Sequence, residues 1–167
     1  MIVGICFVIR NPNEAAALSG EMARQGVEFI EQPLSPDGPN AREAQGQLFR
    51  ESALPLIADE NCVSEDDVPR CVDHFHGINI KLCKCGGLTP ARRMIKKGRE
   101  LGLQLMVGCM TESTVGISAI AQLLPQLDYV DMDGAMLLKG DIAKGVEILD
   151  NGKVIFPELP GSGIELL

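Results

Sequence analysis

Short apolar runs alternate with longer stretches of helical pattern from one end of the sequence to the other. The runs are IVGICFVI (2–9), VEFI (27–30), LPLIA (54–58), INIKL (78–82), LQLMV (103–107) and YV (129–130). The first five are apolar almost throughout, which is typical of strands buried on both faces. Strands that alternate with helices build βα units, in which the strands lie parallel in one sheet. The pattern therefore predicts an α/β protein with about six such units.

Capping residues mark the starts of three predicted helices. They are Asn11 followed by Pro12, Ser64 with Asp67, and Thr89 followed by Pro90. In the third helix, the apolar residues that recur at helical spacing are Ala91, Met94, Ile95 and Leu101. Residues 32–40 contain three prolines and one glycine and predict a loop, and residues 140–167 predict a hairpin with an extended tail. No linker divides the chain, so we expect residues 1–167 to form one domain or part of one.

The composition narrows the classes of partner. The 167 residues include 15 Lys and Arg against 23 Asp and Glu, a formal net charge of −8. This balance argues against binding to nucleic acid or to an anionic membrane face, and favours cationic groups or metal ions as ligands. The apolar runs are too short to span a bilayer, and no secretory signal is recognisable, so we expect a cytoplasmic protein. The six cysteines are scattered and are predicted to be free thiols.

Charged residues lie at the ends of five predicted strands in succession. They are Glu31, Asp59 with Glu60, Lys81, Glu112, and Asp131 with Asp133. Taken singly, each has an ordinary explanation, because a carboxylate can cap a helix and a strand lysine can reach solvent. The carboxyl ends of parallel strands, however, meet at one edge of a sheet or at one mouth of a barrel. We therefore expect these side chains to share a single site.

The residue types in this set predict a metal site next to a proton-transfer site. Glu31 and Asp59 supply hard oxygen ligands, which favour Mg²⁺ over zinc. A bound Mg²⁺ can neutralise the charge that develops when a proton leaves the carbon beside a carboxylate. Lys81, desolvated in the same cavity, is expected to have a lowered pKa and to act as the base. The reaction intermediate would be an enediolate that the lysine reprotonates.

Five ordered strings of the sequence carry a resemblance to a known family. GVEFIEQPL (26–34), PLIADE (55–60), INIKLCKCGGL (78–88), GCMTEST (108–114) and VDMDGAMLL (130–138) resemble the barrel domain of the enolase superfamily. Within it they are most similar to the muconate-cycloisomerase-like branch and, in that branch, to the dipeptide epimerases. The resemblance extends from about residue 12 to the C-terminus. It implies a (β/α)8 barrel of the TIM type, of which this sequence offers a part.

The resemblance also implies a role for each residue of the set. Glu31 and Asp59 match the second and third Mg²⁺ ligands, with Glu60 beside them, and Lys81 matches the base on the sixth barrel strand. Lys84 is the alternative base if the register is displaced. Glu112 matches an acid that helps to order the site. Asp131 and Asp133 match a pair that holds the α-ammonium group of a dipeptide, which implies a small-molecule substrate and an isomerase that racemises or epimerises it.

The sequence also departs from the family. Other members carry a capping domain, a Lys-x-Lys base on the second barrel strand and an Asp on the third strand that supplies the first Mg²⁺ ligand. Here the corresponding segment reads MIVGICFVIRNPNEAA (1–16), with Val3 and Ile5 in the region. The expectation is therefore a C-terminal fragment rather than a decayed relative, lacking one metal ligand and one lysine and inactive alone. An opened barrel exposes strand edges, so we expect self-association.

Two other hypotheses remain open from the sequence. One is a noncatalytic α/β module that binds metal or a partner protein through the same acidic edge. The other is a cycloisomerase or dehydratase of the same superfamily. The pair Asp131 and Asp133 argues against the second, because the substrates of those enzymes lack the ammonium group that two carboxylates would bind.

Overall fold

The computed structural model describes Gly4–Cys6, Ile9 and residues 11–167, with Gly4–Cys6 as backbone only. In chain order its elements are β1 (Gly4–Cys6), α1 (Pro12–Arg24), β2 (Phe29–Glu31), α2 (Ala41–Glu51), β3 (Leu56–Ala58), β4 (Gly77–Lys81), α3 (Leu82–Cys85), α4 (Leu88–Glu100), β5 (Gln104–Gly108), α5 (Thr114–Ala121), β6 (Tyr129–Val130), β7 (Ala143–Lys144), β8 (Glu147–Ile148), β9 (Val154–Ile155) and β10 (Glu165–Leu166). Three short 3₁₀ turns lie at Val68–Cys71, Leu124–Gln126 and Gly134–Leu137.

Strands β1 to β6 form one parallel sheet whose spatial order is their order in the chain. The longest pairing joins β4 to β5, from Gly77 opposite Gln104 to Lys81 opposite Gly108. The sheet curls into part of a barrel, so the α/β class predicted from the sequence is confirmed. Of the first predicted strand, residues 2, 3, 7 and 8 lie outside the described residues. Beyond β1, Ile9 forms a parallel bridge with Leu34.

Side chains alternate between the two faces of the sheet and build two clusters of buried residues. The larger cluster joins the strands to the helices and includes Ile30, Leu56, Ile78, Ile80, Leu105 and Val107 with Met94 and Ile95 of α4. The smaller cluster lies on the opposite, concave face and consists of Phe29, Ile57 and Met106, with Tyr129 packed against them. The rings of Phe29 and Tyr129 have centroids 4.4 Å apart. The concave face is therefore filled with apolar side chains below the carboxyl ends of the strands.

The helices differ from the sequence predictions in several details. Asn11 caps α1 as predicted, with its Oδ1 accepting from the backbone N–H of Asn13 at 2.9 Å. The predicted helix at Ser64 is wrong, because only the 3₁₀ turn Val68–Cys71 forms there. Helix α4 begins at Leu88, one residue before the predicted cap Thr89. Leu101, predicted to lie on its apolar face, is 41% exposed just beyond the helix end.

The C-terminal region forms the hairpin and the tail predicted from its glycines and prolines. Strands β8 and β9 pair antiparallel, and β10 pairs antiparallel with β7. The thiols of Cys62, Cys71, Cys83, Cys85 and Cys109 are free, as predicted, and the side chain of Cys6 lies outside the described residues. In the part of the chain that the structure describes, no helix is long and apolar enough to cross a membrane.

Candidate functional site

Strand alternation brings the predicted site residues onto the concave face. Residues two apart share a face, and the pairs on this face are Phe29 and Glu31, Ile57 and Asp59, Asn79 and Lys81, Met106 and Gly108, and Tyr129 and Asp131. In the first, second and last pairs, an apolar residue sits within the face and a charged one at its carboxyl end. Because these acids follow neighbouring parallel strands and share one face, they lie close together at the same edge of the sheet.

Lys81 lies between the two acids predicted to bind metal. Its Nζ is 3.1 Å from Oδ2 of Asp59 and 3.9 Å from Oε1 of Glu31. The side chains of Lys81 and Glu31 are each 13% exposed, and that of Asp59 is 8% exposed. The structure thus brings together the three residues that the sequence analysis placed at the centre of the site.

Lys84 approaches the same carboxylate from the loop side. It belongs to the short helix α3, and its Nζ is 2.7 Å from Oδ1 of Asp59 and 3.7 Å from Oε1 of Glu60. The Glu60 side chain is 54% exposed, so it lies at the rim of the site. Each oxygen of Asp59 therefore has its own lysine, while Lys81 is the lysine that also reaches Glu31.

Two buried amides that the sequence analysis did not single out hold the acids. Nδ2 of Asn79 donates to Oε1 of Glu31 at 2.6 Å, and Oδ1 of Asn79 is buried with no hydrogen-bond partner among the described residues. Oε1 of Gln32 accepts from the backbone N–H of Asp59 at 2.8 Å. A neutral amide beside an apolar strand is not marked by charge in the sequence. Asn79 could have been noticed as a polar residue within the apolar run INIKL.

Burial and charge oppose each other in the pKa values of this group. Burial raises the pKa of Glu31 above its ordinary value, although the hydrogen bond from Asn79 and the charge of Lys81 act against it. Burial would also raise the pKa of Asp59, but the hydrogen bond from Lys84 and the charge of Lys81 hold it below its ordinary value. The two lysines therefore favour the ionised form of the Asp59 carboxyl group.

The predicted lowering of the Lys81 pKa is wrong, because this pKa is raised. Burial does lower the pKa of the ammonium group, but the carboxylates of Asp59 and Glu31 outweigh burial and raise it above its ordinary value. The sequence indicates that Lys81 is desolvated, but it does not show that two acids lie within 3.9 Å of Nζ. The pairing of Lys81 with these two carboxylates therefore favours its ammonium form.

Asp131 and Asp133 form a second cluster with Cys109. The Cys109 Sγ lies 3.8 Å from Oδ1 of Asp131 and 3.9 Å from Oδ1 of Asp133, and it accepts from the backbone N–H of Gly134 at 3.2 Å. Burial, with the Asp131 charge, raises the pKa of the Cys109 thiol to about 11. Partial burial also raises the pKa of Asp131, as does the neighbouring Asp133. The two carboxylates thus face the same thiol, that of Cys109.

Glu112 lies on the Cys109 side of the site. Its Oε1 accepts from the backbone N–H of Met110 at 3.0 Å, in the turn between β5 and α5. The start of α5 is held instead by Asp141, whose Oδ2 accepts from both N–H and Oγ1 of Thr114 at 2.7 Å. Glu112 therefore orders the turn that follows Cys109.

The acids present fit a divalent cation. Glu31 and Asp59 offer hard oxygen ligands, which suit Mg²⁺. Both acids lie within 3.9 Å of the ammonium nitrogen of Lys81, so an oxygen of each faces the same cationic group. The cluster of Cys109, Asp131 and Asp133 is a second group whose ligand atoms lie within 4.8 Å of one another. Its thiol makes it softer than the first group.

Barrel enzymes carry their active sites at the carboxyl ends of their parallel strands, which is where this sheet has its acids and its lysine. The model of the family described as enolase C-terminal domain-like matches residues 9–167. The chain belongs to this family.

Named relatives and solved structures agree with this assignment. The chain is 61% identical over 153 residues to an L-Ala-D/L-amino acid epimerase of Maribacter sp., covering 92% of this chain and 44% of the relative. It is 60% identical over 149 residues to an L-Ala-D/L-amino acid epimerase of Flavobacterium johnsoniae, covering 89% and 43%. A dipeptide epimerase from Enterococcus faecalis V583, solved with Mg and the dipeptide L-Leu-L-Tyr, matches with a TM-score of 0.86 and 26% identity, covering 98% and 48%. The chain thus spans less than half the length of these proteins.

Proposed function

We propose that this chain forms the catalytic barrel part of a Mg²⁺-dependent dipeptide epimerase, an isomerase that inverts an amino-acid α-carbon by 1,1-proton transfer. The observation that carries the proposal is that Glu31 and Asp59 each place an oxygen within 3.9 Å of Lys81 Nζ, at the carboxyl ends of adjacent parallel strands. Support for the substrate class comes from the Maribacter relative, an L-Ala-D/L-amino acid epimerase with 61% identity. The substrate is then a small dipeptide.

In this proposal Glu31 and Asp59 hold the metal ion. When bound, Mg²⁺ withdraws charge from the substrate carboxylate and so acidifies the neighbouring α-hydrogen. Asn79 and Lys84 fix one oxygen of Glu31 and one of Asp59, by contacts of 2.6 and 2.7 Å. A carboxylate held at one oxygen keeps the other aimed in a constant direction, which favours a preformed site.

Lys81 is proposed to move the proton through its Nζ. Its pKa is raised by the charges of Asp59 and Glu31, whereas burial alone would lower it. A divalent cation held by Asp59 and Glu31 would offset those two charges, so that burial, which lowers the pKa of Lys81, would be opposed chiefly by the charge of Asp131. The pKa of Lys81 would then lie closer to the range in which a neutral amine can accept a proton at the working pH.

Asp131 and Asp133 are proposed to bind the ammonium group of the dipeptide. Both acids follow β6, and their carboxylates lie near the thiol of Cys109, which follows the neighbouring strand β5. Asp131 also interacts electrostatically with Lys81. A cation in a partly buried cleft is held best by more than one carboxylate. Glu112, which orders the turn after Cys109, and Glu60, at the rim beside Lys84, support the two ends of this site.

The proposal is tested with a chimera in which this chain replaces the matching segment of the Maribacter epimerase. Exchange of the α-hydrogen for deuterium is followed by proton NMR for a panel of L-Ala-L-Xaa dipeptides in D₂O. We expect exchange that requires Mg²⁺ and that falls about 10²- to 10⁴-fold in Lys81→Met. The matched control is Lys96→Met, since the Lys96 side chain is 79% exposed on α4. A folded chimera that exchanges none of the dipeptides would refute the proposal.

A further inference from the structure

Gln32 is a buried amide whose hydrogen bonds all lead to the loop that follows β3. It is 4% exposed and directly follows Glu31. Its Oε1 accepts from the backbone N–H groups of Asp59 at 2.8 Å and Asn61 at 3.0 Å. Its Nε2 donates to Oδ1 of Asn61 at 2.8 Å. A buried amide is costly unless it is bonded, and this one is bonded at both its oxygen and its nitrogen.

The backbone of Gln32 is held to the same neighbour as its side chain. Its N–H donates to the carbonyl oxygen of Ile57 in β3 at 2.9 Å. Its φ of +24° lies in a region that residues other than glycine adopt only when their surroundings hold them there. Backbone and side chain together therefore clamp the residue after Glu31 onto the segment that contains Asp59.

We propose that Gln32 is a positioning residue that fixes the Glu31 carboxylate relative to the Asp59 carboxylate, and so presets the cation site. Gln32 itself touches neither carboxylate oxygen and acts through the backbone of the two acids. The inference rests on the proposed function, because it takes Glu31 and Asp59 to be the ligands of the metal ion. Groups that orient metal ligands in this way commonly change metal affinity about 10- to 100-fold when they are removed.

A second buried glutamine, Gln45, provides a control that distinguishes this positioning role from an effect on packing alone. Gln45 is 5% exposed, and its Nε2 donates to the carbonyl oxygen of His74 at 3.1 Å, away from Glu31 and Asp59. Methionine has nearly the shape of glutamine and makes no comparable hydrogen bonds. Gln32→Met and Gln45→Met therefore both remove buried amide bonds, but only the first releases the segment that carries Asp59.

The test uses the full chain with Mn²⁺ as the probe, because Mn²⁺ accepts the same oxygen ligands as Mg²⁺ and is visible by electron paramagnetic resonance. We expect Gln32→Met to weaken Mn²⁺ binding 10- to 100-fold and Gln45→Met to change it less than twofold. Asn61→Ala removes one partner of Gln32 at an exposed position and is expected to weaken binding by a smaller factor. Mn²⁺ affinities of Gln32→Met and Asn61→Ala within twofold of the unmodified chain would overturn the inference.

A metal-free measurement keeps the two proposals distinguishable. The ammonium group of Lys81 contacts both acids, so its NMR signal reports their separation. We expect this signal to be slow to exchange with water in the unmodified chain and in Gln45→Met, and to be lost in Gln32→Met. If the unmodified chain fails to bind Mn²⁺, the proposed metal site fails while the Lys81 signal still decides the role of Gln32. An unchanged signal in Gln32→Met would overturn that role.

Discussion

Helix α4 lies against the strands that carry the site because one of its residues is a glycine. A Cβ atom placed on Gly98 would lie 2.6 Å from Cδ2 of Leu105 and 3.3 Å from Cδ1 of Ile78. Both neighbours are fully buried and lie in adjacent strands of the sheet, so moving either methyl group disturbs a packed core. The absent side chain at Gly98 therefore sets the distance between α4 and the sheet.

We predict that Gly98→Ala destabilises the protein. Alanine in place of glycine in a helix gains about 1 kcal/mol from the backbone. An extra methyl group forced into a packed core costs about 1–3 kcal/mol. Since the 2.6 Å contact is far inside the van der Waals distance, the upper part of that range applies and the net loss is about 1–2 kcal/mol.

The matched control is the same substitution in α1. At Gly20 the nearest heavy atom to an added Cβ is the guanidinium Nη1 of Arg24 at 3.9 Å, which is ordinary contact with a mobile group. Gly20→Ala should therefore gain about 0.5–1 kcal/mol. In urea-induced unfolding followed by circular dichroism, with an m-value of about 2 kcal/mol/M, the midpoint of Gly98→Ala should move down by about 0.5–1 M and that of Gly20→Ala up by about 0.25–0.5 M. Equal shifts of the same sign would refute the packing argument.

Three further predictions concern the site and the sheet edge. Gly108→Ala places a Cβ 2.7 Å from Nδ2 of Asn79 and should break its bond to Glu31, seen as a shifted Asn79 amide signal in NMR; an unshifted signal contradicts this. Because the pKa of Asp59 is lowered on folding, its contribution to stability is complete above its ordinary value of 3.8 and disappears as the pH falls through the lower folded value. Asp59→Asn should therefore lose urea stability at pH 7 and approach the unmodified chain at low pH; a pH-independent difference is the contrary result. Val130 is 39% exposed on β6, the last strand of the described sheet. Val130→Lys should therefore reduce self-association, measured by sedimentation at high protein concentration. An unmodified chain that is already a monodisperse monomer would contradict the role of this edge.

The strands were predictable because their signal is local and strong. Continuous apolar runs such as those around Ile80 and Val107 fit buried parallel strands, and the six strands pair in the order of the runs. Helix α2 was missed because its sequence AREAQGQLFRE is mostly polar, and Leu48 is the one large apolar residue of the helix that is fully buried. At Ser64 the predicted side-chain bonds to Asp67 do form, but the chain continues as a 3₁₀ turn.

The charged part of the site could also be predicted, since position at a strand end determines where an acid points. The neutral part could not. Gln32 and Asn79 bond the acids from within the fold, and their partners are 27 and 48 residues away in the sequence. The pKa of Lys81 was predicted in the wrong direction because it depends on distances to two carboxylates from other strands. Long-range geometry of this kind appears only once the sheet is assembled.

The central claim is that Glu31 and Asp59 jointly bind a divalent cation beside Lys81. The most direct measurement is anomalous diffraction from crystals of this chain soaked in Mn²⁺. We expect a peak about 2.1 Å from a carboxylate oxygen of each acid, with the Lys81 ammonium displaced from Asp59. A peak on the group formed by Cys109, Asp131 and Asp133, with none between Glu31 and Asp59, would contradict it.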